Sequence, residues 1–581
     1  MRKILRKYWL FAILAPLFMA GEVTMDLLQP RMMSKIVDEG VLGLSNQNVG
    51  DLQLVITIGL QMIGLLVIGV ICGVLSGIFA NMCSQNFGND VRKGAFAKIM
   101  KLPFEQMDQF STGSLITRVT NDITQIQNLV SQCIRGFVRT FLLFAGGIGC
   151  MLMLDLSFAV VVACALPLIL FCVIYFILKA NPKFSVLQEK LDRLNNVMQE
   201  NVSGLRVVKA YTKEEYEQER FEKANGELVN TQLDVLLLFS YMTPIMNVIL
   251  NVSVVAVIWI GGIEVKSASV TPGDVMAAVT YISQILNAVM RMTMIFQTVS
   301  RGVASGKRVR EILHCEPAIA DGEFDGETAV KGKVEFRDVS FAYPGMGEEK
   351  ILEHFSLTIE QGETIAIMGA TGCGKSTLIH LIPRFFDVTE GQVLVDGVDV
   401  KQYKMEDLRN RIAIALQNSE IFHMTIGENL AWGNPAADKA TLEHAAETAQ
   451  AMEFIQTKQK GMDTEVNQAG TSLSGGQKQR LSIGRAVLKG AEILIFDDAT
   501  SALDLKTEAK LYEALKKDYP HTTKIIIAQR IASVKDADRI VVMENGRLAD
   551  CGSHEELLKN SKIYQDIYDS QMKNGGETDG F

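Results

Sequence analysis

The sequence predicts a multi-domain chain of two fold classes: an all-α membrane domain of six helices, then an α/β domain. Three observations predict this. The first three hundred residues hold six long apolar runs; an acidic, Gly-rich stretch near residue 315 breaks the pattern; and beyond it short β-branched runs alternate with helical ones.

A hydrocarbon core of ~30 Å is crossed by ~20 apolar helical residues. The runs that qualify lie near Trp9 to Gln29, Leu54 to Met82, Ile134 to Leu154, Ser157 to Leu178, Val235 to Ile263 and Val275 to Val299. The last run, YISQILNAVMRMTMIFQTVS, is interrupted by Ser, Gln, Asn and Arg, as in a helix that lines a polar cavity. Lys and Arg crowd the segments after the second and fourth runs (Arg92, Lys93, Lys98, Lys101 and Arg118, then Lys179 through Lys223), while the opposite loops hold only Arg31, Lys35 and Lys266. By the positive-inside rule both long loops, both termini and the second domain are expected on the cytoplasmic side of the cell membrane. The helical pattern of those loops predicts that the helices continue past the membrane as a stalk.

The expected boundaries are 1–312 for the membrane domain, 313–332 for a linker, 333–573 for the α/β domain and 574–581 for a flexible tail. Strands are predicted at Val334 to Val339, Ile365 to Met368, Ile412 to Leu416, Ile493 to Phe496, Ile525 to Ala528 and Ile540 to Met543. Of nine cysteines, an odd number, five (Cys72, Cys83, Cys150, Cys164 and Cys172) lie in or beside the apolar runs with no paired or metal-type spacing, and the expected role is that of small buried hydrophobes rather than a disulfide framework. A formal charge of −9 over 581 residues leaves no basic surface, so nucleic acid is not an expected partner.

Chemistry enters with Gly369, Ala370, Thr371, Gly372, Cys373, Gly374, Lys375, Ser376 and Thr377, which follow the run IAIM and fit a P-loop. Glycines let the backbone curl so that successive amides and a helix N-terminus face phosphate oxygens; Lys375 reaches the β/γ-phosphates and Ser376 holds Mg²⁺. The apolar run ILIF ends in Asp497, the arrangement whose carboxylate orients Mg²⁺. Between these lies LSGGQKQR, with Ser474, Gly475, Gly476 and Gln477.

With that signature the chain resembles the ABC ATPases, and the order of membrane domain then ATPase resembles an exporter half-transporter. The resemblance implies ATP and Mg²⁺ as cofactors and an ATPase coupled to transport. It assigns Tyr343 to adenine stacking, Gln417 to the Q-loop at the metal, and Ser501 to Asp504 to the D-loop, with Asp504 among the hydrolytic residues. It likens Phe110 to Asp122 and Gly204 to Phe221 to the two coupling helices. Three positions depart from the family. Asp498 stands where a Glu polarises water, Gln529 where a His contacts the γ-phosphate, and Asn467-Gln468 where exporters show Gly-Glu.

Because such sites are composite, an intact LSGGQ beside an altered base and switch implies a heterodimer in which this chain carries the degenerate site. The expected activity is multidrug-type export of amphiphilic molecules with membrane lipid as surroundings. The alternatives are a homodimeric exporter of lipid or peptide, and an ATP-gated regulatory membrane protein. Glu22 and Asp26 share one helix face, either to attract cations or merely solvated. Arg291, flanked by Met290, Met292 and Met294, is expected to pair with a carboxylate or bind anionic groups, while the methionines, Met242 and Met246 among them, fit either an adaptable pocket or lipid-facing and packing filler.

Overall fold

The structure, a computed structural model, describes residues 2–44, 49–108, 110–344 and 349–575. The end of the expected tail, 576–581, lies outside the described residues. The chain divides into two compact units, Met1–Met100 with Thr112–Cys315, and Lys101–Ser111 with Glu316–Phe581.

The first unit is six long helices: α1 (Trp9–Val41), α2 (Leu52–Ile99), α3 (Thr112–Leu154), α4 (Leu156–Ser203), α5 (Glu214–Lys266) and α6 (Pro272–His314). Each contains one of the expected apolar runs. A helix closes its own backbone hydrogen bonds, the condition for crossing hydrocarbon. At 1.5 Å per residue the 48 residues of α2 reach about 72 Å. That is more than twice a membrane's apolar core, so the expected continuation past the membrane is present.

Local chemistry starts these helices where the sequence turns. Asp51 accepts from the Gln53 and Leu54 amides ahead of α2, Asp155 from the Ser157 amide ahead of α4, and Thr271 forms a capping box with Asp274 and Pro272 at the head of α6. Within α3, two wide π-type turns (Arg118–Asp122 and Gln132–Phe137) interrupt the regular ladder.

The core of this unit is Met151, Phe158, Ile169, Met246, Val257, Tyr281, Ile285 and Leu286, all buried. Met246 is therefore packing, whereas Met294 is exposed. Glu22 and Asp26 are neither free nor merely solvated. Arg139 of α3 reaches both, Nη1 to Glu22 at 3.2 Å and Nη2 to Asp26 at 3.3 Å. The Glu22 carboxylate lies against Gly73 of α2, where an added Cβ would fall 2.6 Å from Oε2 and would push the carboxylate aside. Deeper along α3, buried Asp122 accepts from Arg308 Nε at 2.7 Å and Ser305 Oγ at 2.9 Å, both on α6.

The Arg139 triad makes a prediction. Arg139→Met leaves two carboxylates together at membrane depth, a cost of about 3 kcal/mol. The detergent-solubilised chain should lose thermal stability or yield, and the triple change Glu22→Gln, Asp26→Asn, Arg139→Met should recover it. Unchanged melting of Arg139→Met would show the triad to be incidental.

The second unit holds two sheets. The smaller is antiparallel, ordered β2-β1-β4-β5, with β1 Val334–Phe341, β2 Leu352–Ile359, β4 Glu390–Val395 and β5 Val398–Asp399. The larger is ordered β10-β9-β3-β8-β7-β6, with β3 Thr364–Gly369, β6 Ile412–Ala415, β7 Ile493–Asp497, β8 Thr523–Ile527, β9 Arg539–Glu544 and β10 Arg547–Gly552. All neighbours in it are parallel except the edge strand β10. The six expected strands are β1, β3, β6, β7, β8 and β9. The register places Ile367 opposite Ile527 and Ile527 opposite Asp497. The loops after β3, β7 and β8 therefore leave one edge of the sheet together, where doubly wound sheets bind ligands.

Lys101–Ser111, from the loop between α2 and α3, clusters with this second unit. Its Phe104 ring lies 4.8 Å from Phe385, and Gln106 exchanges hydrogen bonds with Glu316 and Ala318. The segment likened to the first coupling helix begins later, and from Thr112 onward it belongs to the first unit.

Candidate functional site

Strand β3 ends in Gly369 at φ +150°, and Gly372 and Gly374 follow at +86° and +98°. A Cβ on Gly369 would stand 2.3 Å from the Met543 carbonyl. Only glycine permits both this approach and these angles. The loop opens helix α7 (Lys375–Leu381). Lys375 Nζ is held at 2.8 Å from the carbonyls of Gly369 and Ala370, so its ammonium already sits over the loop formed by Ala370, Thr371, Gly372 and Cys373. Thr377 Oγ1 lies 3.0 Å from the Tyr343 hydroxyl, and Tyr343 itself packs edge-on against Phe341 and Phe386.

Ser376 Oγ donates to Asp497 Oδ1 at 2.8 Å. A hydroxyl and a carboxylate are hard oxygen donors that fit Mg²⁺, an ion held by few protein ligands and completed by phosphates and water. Among the described residues no group of three or more His, Cys, Asp or Glu forms a protein-only cage. Gln417 is exposed two residues beyond β6, the neighbour of β7.

Asp498 and Gln529, two of the residues read from the sequence as departures, are bonded to each other: Gln529 Nε2 donates to Asp498 Oδ2 at 3.0 Å. Asp498 is buried and has φ +48°. Burial, and then the charge of adjacent Asp497, push its carboxyl above the ordinary carboxylate value.

The signature Ser474 caps helix α8 (Gly475–Leu488), its Oγ accepting from the Gln477 amide while Gln477 Oε1 accepts from the Ser474 amide. Ser474 and Gly475 are exposed, leaving the head of α8 open to an anion. Among the described residues no hydrogen bond joins Ser474–Gln477 to the P-loop. Asp504 caps helix α9 (Leu505–Asp518), accepting from the Thr507 amide and hydroxyl. Asn467 precedes the 3₁₀ turn Gln468–Gly470.

Sequence reasoning missed three residues. Gln479, buried in α8, donates to Ser501 Oγ at 3.0 Å and accepts from the Ala502 amide at 2.8 Å, fastening the D-loop to the signature helix. Gln571 of α10 (Lys562–Gly575) bonds the Gln529 carbonyl and the Ile531 amide. His380, four residues after Ser376 and so on the same face of α7, points Nε2 at Asp497 Oδ2 from 3.5 Å. For Gln479 the adjacency to LSGGQ was the available signal. The other two contacts arise only on folding.

The same arrangement is found elsewhere. The family described as "ABC transporter transmembrane region" matches residues 12–289, and the one described as "ABC transporter" matches 352–501. The ABC transporter ATP-binding protein YfiB of Bacillus subtilis (strain 168) is 37% identical over 98% of each chain. The ATP-dependent lipid A-core flippase of Desulfotalea psychrophila is 36% identical over 88% of this chain and 90% of its own. A solved bacterial Atm1-family ABC exporter with ATP bound superposes with a TM-score of 0.81 at 26% identity, covering 98% of this chain and 99% of that one. Six membrane-type helices, an α/β unit with the P-loop at its sheet edge and these likenesses identify the chain as a multi-pass member of the ABC transporter family, an exporter whose ATP hydrolysis is coupled to transport.

Proposed function

We propose that this chain is the degenerate-site half of a heterodimeric exporter in the cytoplasmic membrane, moving amphiphilic molecules outward. The observation that carries the reading is the Asp498–Gln529 hydrogen bond beside an open, intact signature. An Asp is one methylene shorter than the Glu it replaces, and a misplacement of ~1 Å costs on the order of a hundredfold in rate. Among the described residues, the side chain that donates a hydrogen bond to it is the very residue that stands where a His would serve the γ-phosphate. Gln can donate a hydrogen bond but cannot carry a proton or charge.

In this reading Lys375, Ser376, Asp497 and Gln417 hold MgATP in the chain's own pocket, Tyr343 stacks on adenine, and turnover there is slow. Mg²⁺ supplies charge neutralisation at the β- and γ-phosphates. Ser474, Gly475, Gly476 and Gln477 complete the partner's pocket, with Asp504 and the D-loop, clamped by Gln479, beside them. The basic loops after α2 and α4 support a cytoplasmic side for both termini and the ATPase unit.

For the cargo, a cavity of about 370 Å³ in the membrane unit is lined by Asp26, Arg139, Gln284, Asn287 and Arg291. Gln284 Oε1 is buried there with no hydrogen bond among the described residues. Paired charge and amides set among apolar helices suit a molecule with a polar head and an apolar body. A lipid cargo is the second reading, favoured by the relatives named lipid A-core flippase.

The test is purification of the chain alone and together with a second half-transporter that carries Glu and His at the positions of Asp498 and Gln529. The expected result is ATPase activity, stimulated by amphiphiles, only in the mixed assembly. A lone symmetrical pair hydrolysing ATP briskly at both pockets overturns the proposal.

A further inference from the structure

His380 has no place in the site as the family motifs define it, yet its Nε2 is buried, makes no hydrogen bond among the described residues and stands 3.5 Å from the second oxygen of Asp497. The first oxygen of that carboxylate is taken by Ser376. On its other side the imidazole packs on Phe385, ring centres 5.6 Å apart, and Phe385 packs in turn on Phe104 at 4.8 Å. Arg409 covers the same Phe385 ring from 5.5 Å. An unbroken row of side chains therefore runs from the metal-type carboxylate to the loop between α2 and α3.

We propose that His380 is a positioning residue that fixes the rotation of Asp497, and that Phe104, acting through Phe385, sets where His380 stands. A carboxylate held at one oxygen turns freely about its own bond. Held at both, it presents a fixed donor, and outer-shell partners of this kind tune metal affinity by about 10- to 100-fold. The ring of His380 is steered by Phe385 because packed aromatic groups shift together rather than deform. Magnesium affinity at this pocket thus reports the position of the Lys101–Ser111 segment. This rests on Asp497 holding the metal and not on heterodimer pairing, so the lone-chain experiment above and the one below fail separately.

The test measures the Mg²⁺ concentration that half-saturates binding of a fluorescent ATP analogue to the full-length protein, with binding in EDTA as reference. His380→Leu should raise the Mg²⁺ requirement about tenfold while EDTA binding stays unchanged. His380→Gln, which keeps a donor, should restore most of it. Phe104→Ala, remote from the nucleotide and on an exposed ring, should raise it about threefold. The double change should do no more than His380→Leu alone.

An unchanged Mg²⁺ requirement in Phe104→Ala, or additive effects in the double variant, overturns the proposal. So does an equal loss of binding in EDTA, which would place the effect on the P-loop itself. Should His380→Leu not assemble, Phe104→Ala decides alone.

Discussion

Asp498→Glu combined with Gln529→His is expected to raise ATP turnover at this chain's own pocket about a hundredfold, read in a mixed assembly whose partner site has been disabled. The gain corresponds to about 2.7 kcal/mol of barrier. Three features argue for it. Glu recovers the missing methylene; His replaces a Gln that now occupies the Asp498 carboxylate at 3.0 Å; and the longer arm moves the carboxyl away from Asp497, whose charge helps hold Asp498 above its ordinary pKa. Against it stands the backbone, since Asp498 has φ +48° and Asp tolerates that region better than Glu. That strain costs about 1 kcal/mol, less than the gain. Either substitution alone should recover only part, because base and switch act together. Single-turnover release of phosphate is the measurement, and no acceleration in the double variant would show that the slow step lies elsewhere.

Ser474→Ala should have the opposite reach. It lowers transport and ATPase of the mixed assembly by on the order of a hundredfold, the usual loss for one donor aimed at developing charge. Asp498→Asn in the same chain should leave both within about twofold. Under the proposed pairing the contrast separates two roles of one polypeptide, a signature that would serve the partner and an altered base in a pocket that would contribute little flux. The lost cap on α8 costs about 1 kcal/mol, too little to unfold the unit, and circular dichroism would verify that. Uptake of a fluorescent amphiphile into inverted vesicles is the readout. Full activity in Ser474→Ala would refute the sharing of sites.

Much of this was legible in the chain because it is carried by local pattern. Apolar length alone locates six helices, and the strands before Gly369 and ending in Asp497 stand out as β-branched runs followed by glycine or a carboxylate. Strands β2, β4, β5 and β10 were not foreseen: each mixes polar with apolar residues, although β4 with β5 and β9 with β10 pair as tight hairpins across Asp396-Gly397 and Asn545-Gly546. The charge on Glu22 and Asp26 was visible, its cancellation by Arg139 was not, since residues 113 and more positions apart leave no trace of proximity in one sequence. The same holds for His380 beside Asp497 and Gln529 on Asp498. Motifs name which chemistry is present, and the tertiary contacts decide how well each group can perform it.

The packing of Phe104 on Phe385 bears on how the molecule is made. About 280 residues separate the two rings in the chain, and at about 5–20 residues per second the ribosome takes roughly 15 to 55 s to travel from one to the other. Throughout that interval a loop bearing an uncovered aromatic ring waits for a docking surface that has not yet been synthesised. Nascent chains stalled before residue 385 should therefore be the species most in need of chaperone protection during biogenesis.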